Sequence, residues 1–179
     1  MLELSFRVAG SIKDCYEGEG CRFNKIFYTR KIDEPISQGL TKKHTLLGYI
    51  PTPNWKGNIN SEYWDNSYLS ISKEGFRENG NNLATDLKVL AIGDSFTFGS
   101  QVSDTETWTS CLEKHLGTSV LNAGVFGYGA AQSLLRGKIE LEKRRDISLV
   151  LFSILVGDNI FRDTLSYRTG YAKPFLYLD

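Results

Sequence analysis

Hydrophobic and polar positions alternate in recognisable blocks through the second half of the chain. Three short apolar runs, at residues 89–92, 119–122 and 147–156, have the length and composition of strands. Between them, apolar residues recur at helical spacing, first after residue 103 and then after residue 130. The order strand, helix, strand, helix, strand predicts an α/β domain built on a parallel sheet with right-handed crossovers.

The two predicted helices carry start or stop signals and an apolar face. The first is predicted to begin at a capping box, in which Ser103 is followed three residues later by Glu106, and to end at Gly117. The residues predicted to face the core are Trp108, Cys111, Leu112 and Leu116 on the first helix and Ala131, Leu134, Leu135 and Ile139 on the second. The run 147–156 is almost wholly apolar, which predicts a strand buried on both faces.

Residues 1–86 lack this regularity. They are predicted to form an irregular arm with short strands, followed by the α/β domain at residues 87–179. Strands are predicted within Arg22–Ile32 and at Tyr68–Ile71, between prolines and glycines that exclude long elements. The arm is rich in aromatic residues: Tyr49, Trp55, Tyr63, Trp64, Tyr68 and Phe76. They form either a platform for stacking sugars or, as we favour, anchors that pack the arm against the domain.

Composition narrows the class of protein. The 179 residues suffice for one ordinary domain, and 21 basic side chains balance 21 acidic ones, so nothing suggests a nucleic-acid partner. No apolar run is long enough to span a bilayer, and no stretch has the pattern of a signal peptide. Cys15 and Cys21 are either bridged or two free thiols; a bridge would indicate an oxidising compartment, and an extracytoplasmic location is favoured. No cofactor and no metal are predicted, since Cys and His do not cluster at ligand spacing.

A serine follows the first predicted strand where the chain leaves the sheet. Gly93 and Asp94 end the apolar run, and Ser95 comes next. In open α/β sheets, ligands bind at the carboxyl ends of the strands, and a sharp turn there lifts a side chain toward substrate. The three residues are also common turn formers, so a simple turn explains the tripeptide on its own.

Two further segments follow the other predicted strands. A glycine-rich turn at 123–129 follows the second strand, and Asn159 follows the third. In a parallel sheet the strand ends lie along one edge, so we expect Ser95, this turn and Asn159 to gather there. The combination suits acyl transfer, with the serine as nucleophile and the backbone N–H groups and the amide holding the oxyanion. Taken singly, Gly127 also fits a tight turn before a helix, and Asn159 a turn residue.

Three segments resemble the first three sequence blocks of the GDSL/SGNH hydrolase superfamily: Gly93–Gly99, Asn122–Gly129 and Gly157–Asn159. Gly75-Phe76-Arg77 also resembles the lead-in of bacterial members related to polysaccharide O-acetyl esterases and acetyltransferases. The resemblance covers about Lys88–Asp163. It implies a flavodoxin-like fold and an enzyme that hydrolyses or transfers acyl groups, here from an ester of a carbohydrate or another small acyl ester.

The resemblance also implies roles for individual residues. Ser95 would be the nucleophile, Gly127 the oxyanion glycine with Gly124 as the weaker candidate, and Asn159 the oxyanion asparagine, with Asp94 in support. The third block departs from the family pattern, because Ile160 stands where an aspartate usually follows the asparagine.

The general base of this family is a histidine three residues after an aspartate, near the carboxyl terminus, and it has no match here. The two histidines are His44, in the arm, and His115, at the far end of the first predicted helix. We therefore expect the chain to be an amino-terminal piece of a longer enzyme, with an incomplete sheet, no general base and little activity by itself.

Two other functions stay open. The hydroxyl-rich segment 95–100 follows a strand, as phosphate-binding loops do, which would suit a flavin or phosphate binder. A domain without a base would also suit a non-catalytic carbohydrate-binding or scaffold protein.

Overall fold

The structure, a computed structural model, describes residues 39–61, 64–81 and 83–176. The strand predicted within 22–32, the Cys15–Cys21 pair and Tyr63 lie outside these residues. The described residues all belong to one compact unit, Asp33–Asp179. The boundary near residue 86 stays a prediction.

The described elements alternate between strands and helices from β5 onward. In chain order they are β1 (Thr41–His44), β2 (Gly48–Pro51), β3 (Lys56–Ser61), β4 (Trp64–Ser70), β5 (Lys88–Ile92), α1 (Ser95–Phe98), a 3₁₀ turn (Asp104–Glu106), α2 (Trp108–Leu116), β6 (Val120–Asn122), α3 (Ala130–Lys143), β7 (Ile147–Phe152), α4 (Val156–Asp163), β8 (Tyr167–Arg168) and β9 (Tyr171–Ala172).

A parallel sheet in the order β6-β5-β7 forms the centre of this unit. Val89 pairs with Val120 of β6 on one side and with Leu149 of β7 on the other. The stretch from β5 to β6 contains α2, and α3 connects β6 to β7, so helices flank the sheet. The predicted α/β fold with a parallel sheet is therefore confirmed, and it is consistent with an incomplete flavodoxin-like sheet.

Two antiparallel hairpins, β1–β2 and β3–β4, precede the sheet and share its core. Ile59 and Leu69 of the second hairpin are fully buried and belong to one cluster with Phe98 of α1 and Phe126 of the glycine-rich turn. Burial of such side chains contributes about 2 kcal/mol each. The hairpins therefore support the loops at the carboxyl edge of the sheet.

Two aromatic residues of the predicted arm are core residues. Tyr49 is fully buried, with its ring 5.3 Å from the Tyr128 ring edge-on and 5.5 Å from the Tyr171 ring in a stacked arrangement. Phe76 is buried in the cluster that contains Leu90. Side chains buried this deeply cannot stack on a sugar, so the packing interpretation is confirmed for Tyr49 and Phe76.

A buried ion pair joins the segment after β4 to the 3₁₀ turn after α1. Arg77 Nε lies 2.8 Å from Asp104 Oδ1, and the Arg77 side chain is fully buried. Its two terminal nitrogens donate to the carbonyl oxygens of Gly99, at 3.2 Å, and Val102, at 2.8 Å. Ser70 N donates to the same Asp104 oxygen at 3.0 Å. Since every charge here is compensated, the pair can be buried.

The exposed face of α2 carries residues predicted to lie in the core. Trp108 and Leu116 are 37% and 52% exposed, and Cys111 is an exposed free thiol. Leu112 does pack against the sheet. The predicted core face of this helix, including the core position of Cys111, is therefore wrong in three of its four residues.

The face that α2 buries is polar and is held by hydrogen bonds. Thr109 Oγ1 donates to Asn79 Oδ1 at 2.8 Å, and Asn122 Nδ2 donates to Thr109 Oγ1 at 2.9 Å. Glu113 Oε1 accepts from Val120 N at 3.0 Å. Polar groups with partners can be buried at little cost, and hydrophobic spacing does not reveal them.

The predicted burial of α3 and of β7 is wrong in part. Leu134 is 49% exposed, whereas Leu135 and Ile139 pack in the cluster around Tyr49. β7 is an edge strand of the described sheet, and Leu149 on it is 49% exposed, so it is not buried on both faces. It also ends at Phe152, and the apolar residues after it lead into α4.

The start of the helical region after Ser95 differs from the prediction. A one-turn helix, α1, begins at Ser95 itself. The capping box from Ser103 to Glu106 is present, but it caps the 3₁₀ turn, and Thr107 caps α2.

None of the helices in the described part of the chain has the length and hydropathy needed to cross a membrane.

Candidate active site at the carboxyl edge of the sheet

The turn after β5 places Ser95 at the carboxyl edge of the sheet. Asp94 is the N-cap of α1, and its Oδ1 accepts from Phe96 N at 3.0 Å. Gly93 has φ +159°, and a Cβ there would meet Thr97 Oγ1 and the Ser153 carbonyl. The close packing of α1 on the strand end thus requires glycine, and it leaves Ser95 half-buried.

Hydrogen bonds join the ends of all three strands. Ser153 N, just after β7, donates to Ile92 O at 3.0 Å, and Val125 N, after β6, donates to Gly93 O at 3.1 Å. Asn122 Nδ2 donates to Thr97 O at 2.8 Å. The predicted convergence of the strand ends is therefore present in the structure.

Asp94 and Asn159 are brought into direct contact. Asn159 Nδ2 donates to Asp94 Oδ2 at 3.1 Å, and Asn159 is 1% exposed. Arg162 Nη1 donates to the same carboxylate oxygen at 2.7 Å. The Asp94 carboxylate thus accepts three hydrogen bonds, so it is not placed to act as a base for the neighbouring serine.

Asn159 also holds the glycine turn. Its Nδ2 donates to Tyr128 O at 3.0 Å as well as to Asp94, so both of its N–H groups are engaged. Its side-chain oxygen accepts from Leu155 N at the start of α4. The sequence predicts Asn159 directly after a strand, but it lies within α4. The predicted local structure is therefore wrong, although Asn159 still lies at the predicted edge of the sheet.

The two candidate oxyanion glycines differ in the state of their N–H groups. Gly124 N donates to Asn122 Oδ1 at 3.0 Å. Gly127 N donates to no acceptor among residues 39–61, 64–81 and 83–176. Gly127 is buried with φ +78°. Of the two, Gly127 has the available donor.

Charged residues lie close to the glycine turn. A Cβ on Gly127 would lie 2.9 Å from Arg168 Nε, and one on Gly129 would lie 2.7 Å from the Asp163 carboxyl carbon. Asp163 accepts from Ala131 N at 3.0 Å and so caps α3. Burial raises the pKa of Asp163, and the hydrogen bond from Ala131 opposes that rise.

Sequence reasoning missed the three charged residues Arg162, Asp163 and Arg168. A signal for the first two exists, because a helix starting near Val156 puts Arg162 and Asp163 one turn after Asn159. Arg168 had no such signal, since its place depends on the fold of the hairpin β8–β9.

Neither histidine contacts Ser95. His44 Nδ1 accepts a hydrogen bond from Leu47 N at 3.1 Å within its own turn. Burial lowers the pKa of His44, and the positive charge of nearby Lys143 lowers it further. Lys143 ends α3, about 20 Å along the helix from the edge where Ser95 lies. His115 is exposed at the end of α2 and contacts Cys111 O. Within the described ranges, His, Cys, Asp and Glu form no group of three suited to a metal ion.

Comparison with known proteins gives a limited likeness to solved esterase structures. No protein-family model matches the chain, and no curated protein matches it. Two solved structures, both of variants of the esterase AlinE4, are similar at 26% identity, with TM-scores of 0.37 and 0.35. Each match covers 46% of this chain and 46% of the other, so this chain matches less than half the length of those esterases.

Proposed function

We propose that the chain carries the nucleophile and the oxyanion donors of an acyl-ester hydrolase or acyltransferase of the GDSL/SGNH type. Ser95 Oγ would bond to the acyl carbon of an ester and pass its proton to a base. The ester's C–O bond then breaks, and the alcohol leaves with a proton. Water or an acceptor hydroxyl takes the acyl group and frees Ser95. The substrate is a small acyl ester, such as an acylated carbohydrate.

The observation that supports this most is the contact between Asp94 and Asn159. It places an asparagine amide beside the residue that precedes the serine, 65 positions earlier in the chain. Ser95 is half-buried, and its hydroxyl makes no hydrogen bond within the described part of the chain. A half-buried hydroxyl without a hydrogen-bond partner among the described residues, at the carboxyl edge of the sheet, suits a nucleophile.

The oxyanion would be held by backbone and side-chain N–H groups. Ser95 N is in the first turn of α1, where N–H groups have no helical acceptor. Gly127 N has none among the described residues either. Asn159 would contribute by exchanging its bond to Tyr128 O for one to the substrate oxygen. Each such donor typically raises the rate about 100- to 1,000-fold.

The base would come from outside the described residues. Ser95 contacts neither histidine, and the Asp94 carboxylate is filled by other donors. We therefore expect the described residues by themselves to support only slow acylation of Ser95 at neutral pH, and faster acylation as the hydroxide concentration rises.

A fluorophosphonate probe tests the proposal. We expect labelling of the 179-residue chain to rise from pH 6 to pH 9, and peptide mass mapping to place the adduct on Ser95. Ser95→Ala should abolish it. Ser100→Ala, two residues after the end of α1, is the matched control and should keep it. Labelling that survives Ser95→Ala, or that maps to another residue, would contradict the proposal. Rapid turnover of p-nitrophenyl acetate at pH 7 that depends on Ser95 would show that the chain supplies its own base. It would leave the role of Ser95 as the nucleophile intact.

A further inference from the structure

The side chain of Arg168 covers the glycine turn of the candidate site. A Cβ on Gly127 would lie 2.9 Å from Arg168 Nε and 2.8 Å from the Tyr49 hydroxyl. Arg168 precedes a tight turn in which Thr169 and Gly170 have φ of 50° and 81°. The hairpin β8–β9 therefore delivers this guanidinium to the residue proposed as an oxyanion donor.

The Arg168 guanidinium has unused hydrogen-bond donors. Its Nε is buried without a hydrogen-bond partner. Within residues 39–61, 64–81 and 83–176, its guanidinium forms neither a hydrogen bond nor an ion pair. A buried donor without a partner destabilises the folded protein, and a bound acceptor would remove that cost.

The carboxylates near Arg168 are already engaged elsewhere. Arg162 holds Asp94 at 2.7 Å and Asp158 at 3.4 Å. Asp163 accepts from Ala131 N. Burial lowers the pKa of Arg168, and the positive charge of Arg162 adds to that effect. Tyr49, Asp158 and Asp94 favour the charged form of Arg168 from a distance, but none of them forms an ion pair or a hydrogen bond with its guanidinium, so an anion from solution would meet donors without a partner.

We propose that Arg168 binds a carboxylate carried by the ester substrate, which makes the substrate class an acidic ester. This inference rests on the proposed function. Arg162 pairs with Asp94, whereas Arg168 carries a positive charge that forms no ion pair within the described residues. That charge matches a monovalent carboxylate better than a divalent phosphate, and the planar guanidinium fits a carboxylate in a two-bond arrangement.

Two fluorophosphonate probes of equal size test the specificity. One carries a terminal carboxylate and the other the matching carboxamide. We expect the carboxylate probe to label Ser95 about ten-fold faster. Arg168→Gln should bring the ratio to one, and Arg168→Lys should retain part of it. Arg145→Gln removes an exposed arginine elsewhere and should leave the ratio unchanged. A ratio that survives Arg168→Gln, or that Arg145→Gln also lowers, would overturn the proposal.

A binding measurement separates this proposal from the proposed function. The ¹⁵N–¹H signal of Arg168 Nε, assigned by its loss in folded Arg168→Gln, should shift when monomethyl succinate is added. Methyl succinamate, its neutral counterpart, should not shift it. If neither probe labels Ser95, the proposed function fails, while the signal still reports on the carboxylate site. Equal shifts with both compounds, or none with either, would overturn the carboxylate site.

Discussion

The side-chain amide of Asn159 donates to the carboxylate of Asp94 at 3.1 Å, which joins the turn after β5 to α4. Arg162, one turn further along α4, adds an ion pair to the same carboxylate. The Asp94 carboxylate thus links the turn that carries Ser95 to α4, although it forms no hydrogen bond with Ser95 itself.

Replacing Asp94 should destabilise the protein strongly. Asp94→Asn removes the charge that compensates Arg162. The Asp94 side chain is buried and that of Arg162 is only 11% exposed, so we expect a loss of about 3 kcal/mol in the free energy of unfolding. Urea denaturation measures it. Asp158→Asn is the matched control, because Asp158 pairs with the same arginine but its side chain is 54% exposed.

The control should lose no more than about 0.5 kcal/mol. Equal losses in Asp94→Asn and Asp158→Asn would show that burial of the Asp94–Arg162 pair is not what matters.

The ion pair of Arg77 and Asp104 should behave as a coupled unit. Arg77→Met leaves the Asp104 carboxylate buried without its counter-charge, at a cost of about 4 kcal/mol. Adding Asp104→Asn to Arg77→Met should restore part of the lost stability. The double variant has no carboxylate buried at residue 104, and Ser70 N keeps an acceptor there. Chemical denaturation of the single and double variants checks the order of stability. Lys73→Met, which breaks an exposed pair, should not change the midpoint. A double variant less stable than Arg77→Met would refute the coupling.

The sheet could be predicted from the sequence because its interior is apolar. The residues of β5 from Val89 to Ile92 are all buried, as the pattern indicated. α2 shows the limit of that reasoning, since it buries Thr109 and Glu113 and exposes Leu116. Its partners, such as Asn79, come from a distant part of the chain, and single-sequence spacing carries no information on them.

The sequence could predict at which edge of the sheet the candidate site lies, but not which charged residues surround it. Parallel strands bring Asp94 and Asn159 to the same edge, so their contact follows from topology. Arg168 reaches Gly127 through a short hairpin whose fold depends on positive φ at Thr169. No periodic pattern predicts such a hairpin.

Gly124 should tolerate no side chain. A Cβ there would lie 2.6 Å from the carbonyl carbon of Thr97 and also meet the backbone nitrogen of Phe98, and backbone cannot move aside cheaply. We expect Gly124→Ala to lose about 3 kcal/mol in the free energy of unfolding. Gly157→Ala is the control, since a Cβ there meets nothing within 4 Å, and it should be neutral or slightly stabilising. Similar stability of the two variants in thermal and urea melts would contradict this packing.

The stability of the protein should rise with pH in the alkaline range because of Lys173. Burial lowers the pKa of Lys173 to about 8; Asp163 opposes this shift, and Arg168 adds to it. In the unfolded chain its pKa is about 10.4, so between these values the unfolded state binds more protons. Stability therefore increases from about pH 8 toward about pH 10. Above pH 10 the sign reverses, because burial raises the pKa of Tyr49 to about 12 and unfolded tyrosine ionises first.

Lys173→Met removes the buried charge, so it should abolish the alkaline rise and stabilise the protein at pH 7. Lys138→Met, at a side chain that is 72% exposed, should leave the rise in place. Urea midpoints of the three proteins at pH 7, 8, 9 and 10 provide the comparison. If the slope between pH 8 and pH 10 is the same in Lys173→Met as in the parent, the buried ammonium is not its cause.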